Sequence, residues 1–203
     1  MSPVKLGLFG GSFDPIHQGH LLPVREARRA LGLERVLYLP TAKPPHKPRR
    51  ALAPAHARYA MVEMALLGEE GLYVSPHELT LDRPAYTIET LEHFQRSEPG
   101  ADLHLLIGGD SFVDLHLWYR WREIPAAARL VVFTRPGWEL DARALHPELA
   151  ALAATDRVIF LRQPPVEASS TRLRELFARG EQPPPGWVSD LVVRYVQKYD
   201  LYR

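Results

Sequence analysis

The chain has 203 residues, a formal net charge of +1 and no cysteine. That length suits one domain over residues 1–203 with a sizeable core. The near-neutral charge argues against a general nucleic-acid binder, and the missing thiols exclude a disulfide framework and thiol catalysis. Apolar residues make up an ordinary 46%, and no run approaches a membrane span, so neither disorder nor a membrane protein is expected. Met1-Ser-Pro-Val-Lys5 lacks the apolar stretch of a secretory signal, and a cytoplasmic location is expected.

The first element is an apolar strand, Val4 to Phe9, running into Gly10-Gly11, a pair that can turn sharply and admit a ligand close to the backbone. Ser12, Phe13, Asp14 and Pro15 follow, then His17 and His20. A helix with Leu21, Leu22, Val24, Ala27 and Leu31 on its apolar face comes next. Strand, glycine turn and helix start present N–H groups and a positive helix end to a phosphate. No Gly-Lys-Ser/Thr follows the glycines, which excludes a Walker loop, and Gly7, Gly10 and Gly11 lack the dinucleotide spacing. What fits is the His-x-Gly-His signature of nucleotidyltransferases, His17-Gln18-Gly19-His20 after Gly10-Gly11-Ser12-Phe13-Asp14-Pro15. A zinc pair is not expected, since two histidines need further ligands and no H-E-x-x-H helix is present.

Arg35 to Leu39 reads as a second strand. Thr41 to Arg50 is a basic loop stiffened by prolines, with Lys43 and Lys47 as compact charges. Residues 55 to 67 read as a helix, Leu72 to Ser75 as a third strand, and His77 to Leu81 alternates and would extend it. Arg83-Pro-Ala-Tyr-Thr87 is a turn opening a helix over about Ile88 to Gln95, with Thr87 as N-cap. Leu103 to Ile107 is a buried strand ended by Gly108-Gly109-Asp110. A mixed stretch carries Trp118, Tyr119 and Trp121. Leu130 to Thr134 is a further strand, closed by Arg135-Pro136-Gly137. Ala142 to Ala154 reads as a helix and Val158 to Leu161 as a last strand. Ala168 to Glu175 opens a helix ending near Gly180, and residues 187 to 199 make a C-terminal helix.

Short apolar strands alternating with amphipathic helices predict an α/β fold, a Rossmann-like open parallel sheet with helices on both faces. Every glycine-rich, polar or basic cluster follows a strand. In such a sheet all strand C-terminal ends share one edge, so six clusters scattered in sequence should meet in space.

With these motifs placed, the chain resembles the bacterial nicotinate-nucleotide adenylyltransferase family over about Lys5 to Tyr202. The resemblance rests on the segment Gly7 to His20, Lys43-Pro-Pro-His-Lys47, Arg83-Pro-Ala-Tyr-Thr87, Ile107-Gly-Gly-Asp-Ser111, Trp118, Arg135-Pro-Gly137 and Ser169-Ser-Thr-Arg-Leu-Arg174. Ala168, where the family carries isoleucine or valine, and Ser189, where it tends to carry proline, depart from the pattern. The resemblance implies the nucleotidyltransferase fold and transfer of the ATP adenylyl group to nicotinate mononucleotide. It implies His17, His20 and Arg174 as catalytic residues. Gly10, Gly11, Ser12, Phe13, Ser169, Ser170 and Thr171 would join them in binding ATP, with Asp14 fixing the loop. Lys47, Tyr86, Thr87, Asp110 and Trp118 would hold the mononucleotide. Lys47 would neutralise its phosphate, Asp110 would bond a ribose hydroxyl and Trp118 would stack on the ring. No protein metal site is expected, and Mg²⁺ would come with ATP, held mainly by phosphates.

On sequence alone Asp110 also reads as a turn cap, Trp118 as a core residue and Arg135-Pro-Gly137 as a bare turn. The remaining histidines, His46, His77, His93, His104, His116 and His146, read as structural or surface residues. Other small adenylyltransferases, of nicotinamide mononucleotide or phosphopantetheine type, and a non-catalytic nucleotide-binding module are the competing readings. No nucleic-acid or membrane partner is expected, and a homo-oligomer is left open.

Overall fold

The computed structural model describes residues 3–42, 52–135, 137 and 145–203. The apolar runs become β1 (Lys5–Gly11), β2 (Arg35–Pro40), β3 (Leu72–Val74), β4 (Asp102–Gly108), β5 (Arg129–Thr134) and β6 (Val158–Arg162). They form one parallel sheet in the order β3-β2-β1-β4-β5-β6. Parallel neighbours need long crossovers. These carry α1 (Gln18–Leu31), α2 (Ala55–Leu66), α3 (Thr87–Ser97), α4 (Gly109–Val113), α5 (Ile124–Ala127) and α6 (Pro147–Ala153), while α7 (Ser170–Ala178) and α8 (Asp190–Lys198) follow β6. Among the described residues no helix is long and apolar enough to cross a membrane.

Successive strand residues point to opposite faces, so each strand feeds two cores. On one face Val36, Tyr38, Leu106, Val131 and Phe133 pack with Val24, Met61, Leu173, Phe177, Val192 and Val196. On the other, Leu8, Leu39, Leu105, Ile107 and Val132 pack with Ile88, Leu91, Phe94, Ile124 and Leu149. Leu8 lies opposite both Leu37 and Leu105, which keeps β2, β1 and β4 level. Strand order reverses between β1 and β4. Connections leave those two strands in opposite directions and open a crevice at their C-terminal ends.

Several boundaries differ from the sequence reading. His77–Thr80 is one 3₁₀ turn and not an extension of β3, because it turns Glu78 inward to a buried position. The helix expected from Ala142 begins at Pro147; residues 142–144 lie outside the described residues, and proline suits the first helical position, where no N–H is needed. The C-terminal helix begins at Asp190 rather than 187; Trp187 stays outside it, and its carbonyl accepts from the Gln18 N–H at 2.9 Å. Lys43, His46, Lys47 and Pro136 also lie outside the described residues.

Arg58 of α2 is 1% exposed. Burying an unpaired guanidinium would cost several kcal/mol, but here it is satisfied by carbonyls. Nε donates to Ala53 O (2.9 Å), Nη1 to Ser12 O (2.6 Å) and Nη2 to Thr41 O (2.8 Å). One side chain thus ties the loops after β1 and β2 to α2. Replacing it, Arg58→Leu, strands those carbonyls. The expected loss is about 3 kcal/mol, read as a lower urea midpoint at unchanged slope.

Candidate active site

Beyond β1 the chain turns through Ser12 and Phe13 into a cis Asp14–Pro15 bond. Phe13 has a positive φ of 45°, uncommon for a bulky residue. Its buried ring explains the tolerance: it packs against Phe9 (5.6 Å between centroids), Tyr38 (5.5 Å) and His20 (5.2 Å). A Cβ on Gly11 would come within 3.0 Å of that ring, so Gly11 gives the ring its place. Asp14 is 1% exposed. Its Oδ1 accepts from the Ala53 N–H (3.1 Å) and the Tyr202 hydroxyl (2.9 Å). The carboxylate therefore holds the loop.

The two histidines cap α1. The His17 Nδ1 accepts from the Gly19 N–H at 3.0 Å, and the His20 Nδ1 accepts from the His17 N–H at 3.3 Å, a reciprocal capping box. Each Nδ1 is thereby an acceptor, so a neutral ring carries its proton on Nε2. The rings lie 4.0 Å apart and both line the cavity above. Burial, then Arg174 and Arg135, pushes the His17 pKa down to about 4. Near neutral pH His17 is an Nε2–H donor and no proton reservoir. The glycine between them has a steric reason as well: a Cβ on Gly19 would sit 2.8 Å from the His17 ring.

At α7, Ser169 is the N-cap and its Oγ accepts from the Arg172 N–H at 3.3 Å. The Ser170 hydroxyl donates to Pro15 O (3.0 Å), and Thr171 Oγ1 accepts from Arg174 Nη2 (3.0 Å). Arg174 Nη1 also donates to Asp14 O and lies 3.7 Å from Asp14 Oδ2. Ser169 and Ser170 line the cavity, and Arg174 lies close enough to act on the His17 ring by its charge. The first turn of α7 is thus bound to the Asp14 loop.

Two cavities meet at the switch point, with Phe9 and Gly108 in the wall of both. The larger, about 700 Å³, is lined by His17, His20, Asp110, Phe133, Arg135 and the 163–170 segment. The smaller, about 280 Å³, is lined by Gly10, Gly11, Ser12, Thr41, Glu78, Tyr86, Thr87, Trp118 and Tyr119, among others. The assignments from sequence divide differently in space. Gly10, Gly11 and Ser12 face the smaller cavity, Asp110 the larger, and Phe13 lies buried beneath. Ala168, expected to pack only, also lines the larger cavity. Lys47 lies outside the described residues.

The N-cap of α3 is Tyr86, not Thr87, and no side chain caps it. The Tyr86 carbonyl accepts from the Glu89 and Thr90 N–H groups. The Thr87 and Ile88 N–H groups belong to the first turn, which has no partners within the helix. Glu78, Arg58, Tyr119 and Tyr202 escaped the sequence reading. A lone Glu, Arg or Tyr carries no motif, and only folding brings them to this edge.

Residues 8–176 match the cytidylyltransferase-like family model. The probable nicotinate-nucleotide adenylyltransferase of Clostridium tetani is 34% identical, covering 98% of this chain and 99% of its own. That of Laribacter hongkongensis is 41% identical, covering 98% and 95%. This chain belongs to the nicotinate-nucleotide adenylyltransferase family. A solved Plasmodium falciparum nicotinic acid mononucleotide adenylyltransferase, in complex with NaAD, shares the fold with a TM-score of 0.78 at 16% identity. It covers 98% of this chain and 97% of its own. The family's His-x-Gly-His element is here a helix cap, and the cap selects the tautomer of both rings.

His17 should stay neutral in the folded chain down to about pH 4, whereas the unfolded chain protonates near its ordinary 6.5. Between these values the unfolded state binds more protons, so stability should fall as pH drops from about 6.5 to about 4. Imidazole ¹⁵N NMR should show an Nε2-protonated His17 with no midpoint above pH 5. A midpoint near 6.5 would contradict the burial argument.

Proposed function

We propose that the chain transfers the adenylyl group of ATP to nicotinate mononucleotide, giving deamido-NAD and pyrophosphate. The observation that carries this is the pair of adjoining cavities at the switch point, the larger one lined by the His17 and His20 rings at a helix N-terminus. ATP occupies the larger cavity and the mononucleotide the smaller. A mononucleotide phosphate oxygen attacks the α-phosphorus. The new O–P bond forms as the bond to the leaving pyrophosphate breaks. The nucleophile is already anionic, so no general base is required, and catalysis is positioning and charge stabilisation.

His17 and His20 donate to phosphate oxygens as charge develops. A low His17 pKa suits this role, since it keeps Nδ1 unprotonated for the cap and so fixes Nε2–H as the donor. Ser169 and Ser170 bring the N-terminus of α7 to the phosphates, and Gly10, Gly11 and Ser12 leave room for the nucleotide at the junction. Phe13 seats His20. Arg174, held by the Thr171 hydroxyl, fixes the Asp14 loop and adds positive potential near the phosphates. Asp110 stands beside Gly108, where the cavities meet, suited to a ribose hydroxyl. Trp118 offers a stacking face, and Lys47 a phosphate partner. Among the described residues no group of three or more His, Asp or Glu could hold a metal. A magnesium ion would be carried on the ATP phosphates and supply charge neutralisation there.

Acid and amide substrates are told apart at α3. The first-turn N–H groups and the positive helix end suit a carboxylate. A carboxamide NH₂ would set donor against donor, at a cost of about 1 to 3 kcal/mol. Pyrophosphate release should therefore favour nicotinate mononucleotide over its amide by roughly tenfold to a hundredfold in kcat/KM, with phosphopantetheine inactive. Thr87→Ala should narrow that preference without abolishing it, since the backbone donors remain. Equal wild-type efficiencies would refute the substrate assignment. Independently, His20→Ala should lower kcat by roughly 100- to 1000-fold with an unchanged circular-dichroism spectrum, and a loss under threefold would remove His20 from the chemistry.

A further inference from the structure

The smaller cavity has one charged side chain among the described residues that line it, and that charge is negative. It is Glu78, only 7% exposed. Its Oε2 accepts from the Thr41 hydroxyl at 2.9 Å and its Oε1 from the Thr90 hydroxyl at 3.1 Å. These bonds satisfy the oxygens but bring no opposite charge. Burial pushes the carboxyl pKa up while the two hydroxyls oppose it, and no cationic group among the described residues contributes. Among the described residues no ion pair includes Glu78. A buried carboxylate with hydrogen bonds but no counter-charge keeps most of its desolvation penalty. In a ligand cavity such a group is matched by a ligand that brings the missing cation.

The mononucleotide has one. Its ring nitrogen is bonded to ribose and carries a fixed positive charge as a pyridinium. We propose that Glu78 is the counter-charge for that ring, a specificity-determining residue that selects a cationic pyridinium base over a neutral one. The proposal rests on the placement of the mononucleotide in the smaller cavity. The placement of Glu78 favours it. Thr90, which holds Oε1, lies one turn along α3 from Thr87, so both share a helix face. The same helix therefore presents N–H donors to the ring carboxylate at its first turn and fixes the carboxylate that answers the ring nitrogen one turn later. Thr41 fixes the second oxygen from the end of β2. Its own N–H donates to Gly11 O at 3.0 Å and its carbonyl accepts from Arg58, so the Glu78 carboxylate is held from two rigid elements. A merely structural clasp between Thr41 and Thr90 needs only hydrogen bonds. A counter-charge needs the ionised carboxylate.

The test compares nicotinate mononucleotide with its C-nucleotide isostere. In the isostere the ring is joined to ribose through carbon, and the pyridine nitrogen is uncharged at pH 7.5. Pyrophosphate release with ATP gives kcat/KM for each. Wild type should prefer the cationic ring by about tenfold or more. Glu78→Gln keeps the shape and can bond both threonines, and it should lower that ratio by about tenfold. The change should fall in KM for nicotinate mononucleotide, with KM for ATP and the efficiency with the isostere moving less than twofold. Thr90→Val removes one bond but keeps the charge, and the ratio should stay within about twofold of wild type. A Gln variant with an unchanged ratio, or with equal losses on both compounds, would reduce Glu78 to a clasp and overturn the proposal. If the Gln variant fails to fold, a wild-type enzyme indifferent to ring charge still overturns it. A wild type that uses neither compound would instead overturn the substrate reading beneath it.

Discussion

The Asp14 carboxylate, almost wholly buried, gathers the backbone of Ala53, the phenol of Tyr202 and, at 3.7 Å, the Arg174 guanidinium. These groups come from the start of α2, the C-terminus and α7, far apart in sequence. Each stabilises the charge that desolvation penalises, and each is held by it in turn. The loop between β1 and α1 is therefore fixed from three sides before any ligand arrives. Arg58 does the same with carbonyls on the other flank, joining Ser12, Thr41 and Ala53. The fold places oppositely charged anchors on either side of one short loop, so the histidines that leave it have little freedom.

That rigidity bears on chemistry because the same atoms serve structure and function. A serine or aspartate would cap α1 as well as His17 does, but an imidazole has a second nitrogen. Using Nδ1 for the cap commits Nε2–H to the cavity. Burial, with help from Arg174 and Arg135, keeps His17 neutral, which leaves Nδ1 able to accept in the cap. The ring spacing and the missing Cβ at Gly19 follow from the same close packing. Preorganisation here comes from helix capping, a local effect, set within a loop that long-range contacts hold still.

The open side of the sheet then divides into two cavities with opposite electrostatic demands. The larger is bounded by two helix N-termini, those of α1 and α7, and by Arg135, an environment for phosphates. The smaller has one helix N-terminus, that of α3, and one buried carboxylate, Glu78. A ligand part bearing both signs fits that second environment better than a simple anion would. Phe9 and Gly108 separate the two while leaving them in contact.

The sequence by itself determined the α/β class, the β1 glycine turn with His17 and His20 after it, and the gathering of clusters along one sheet edge. These depend on local periodicity, turn chemistry and the rule that parallel strands point one way. It also placed α2 and β4 to within a residue, since strongly apolar segments carry their own signal. What only the tertiary structure decided was how the clusters divide between cavities, with Gly10 to Ser12 on one side and Asp110 on the other. The tertiary structure also turned His77–Thr80 into a tight turn that buries Glu78, made Tyr86 rather than Thr87 the cap of α3, and bound Arg174 to the Asp14 loop. Arg58, Glu78 and Tyr202 were invisible for the same reason. Apart from the Arg58–Ala53 bond, their roles rest on partners at sequence separations of 12 to 188 residues, and burial gives those contacts a weight that no local pattern of residues encodes.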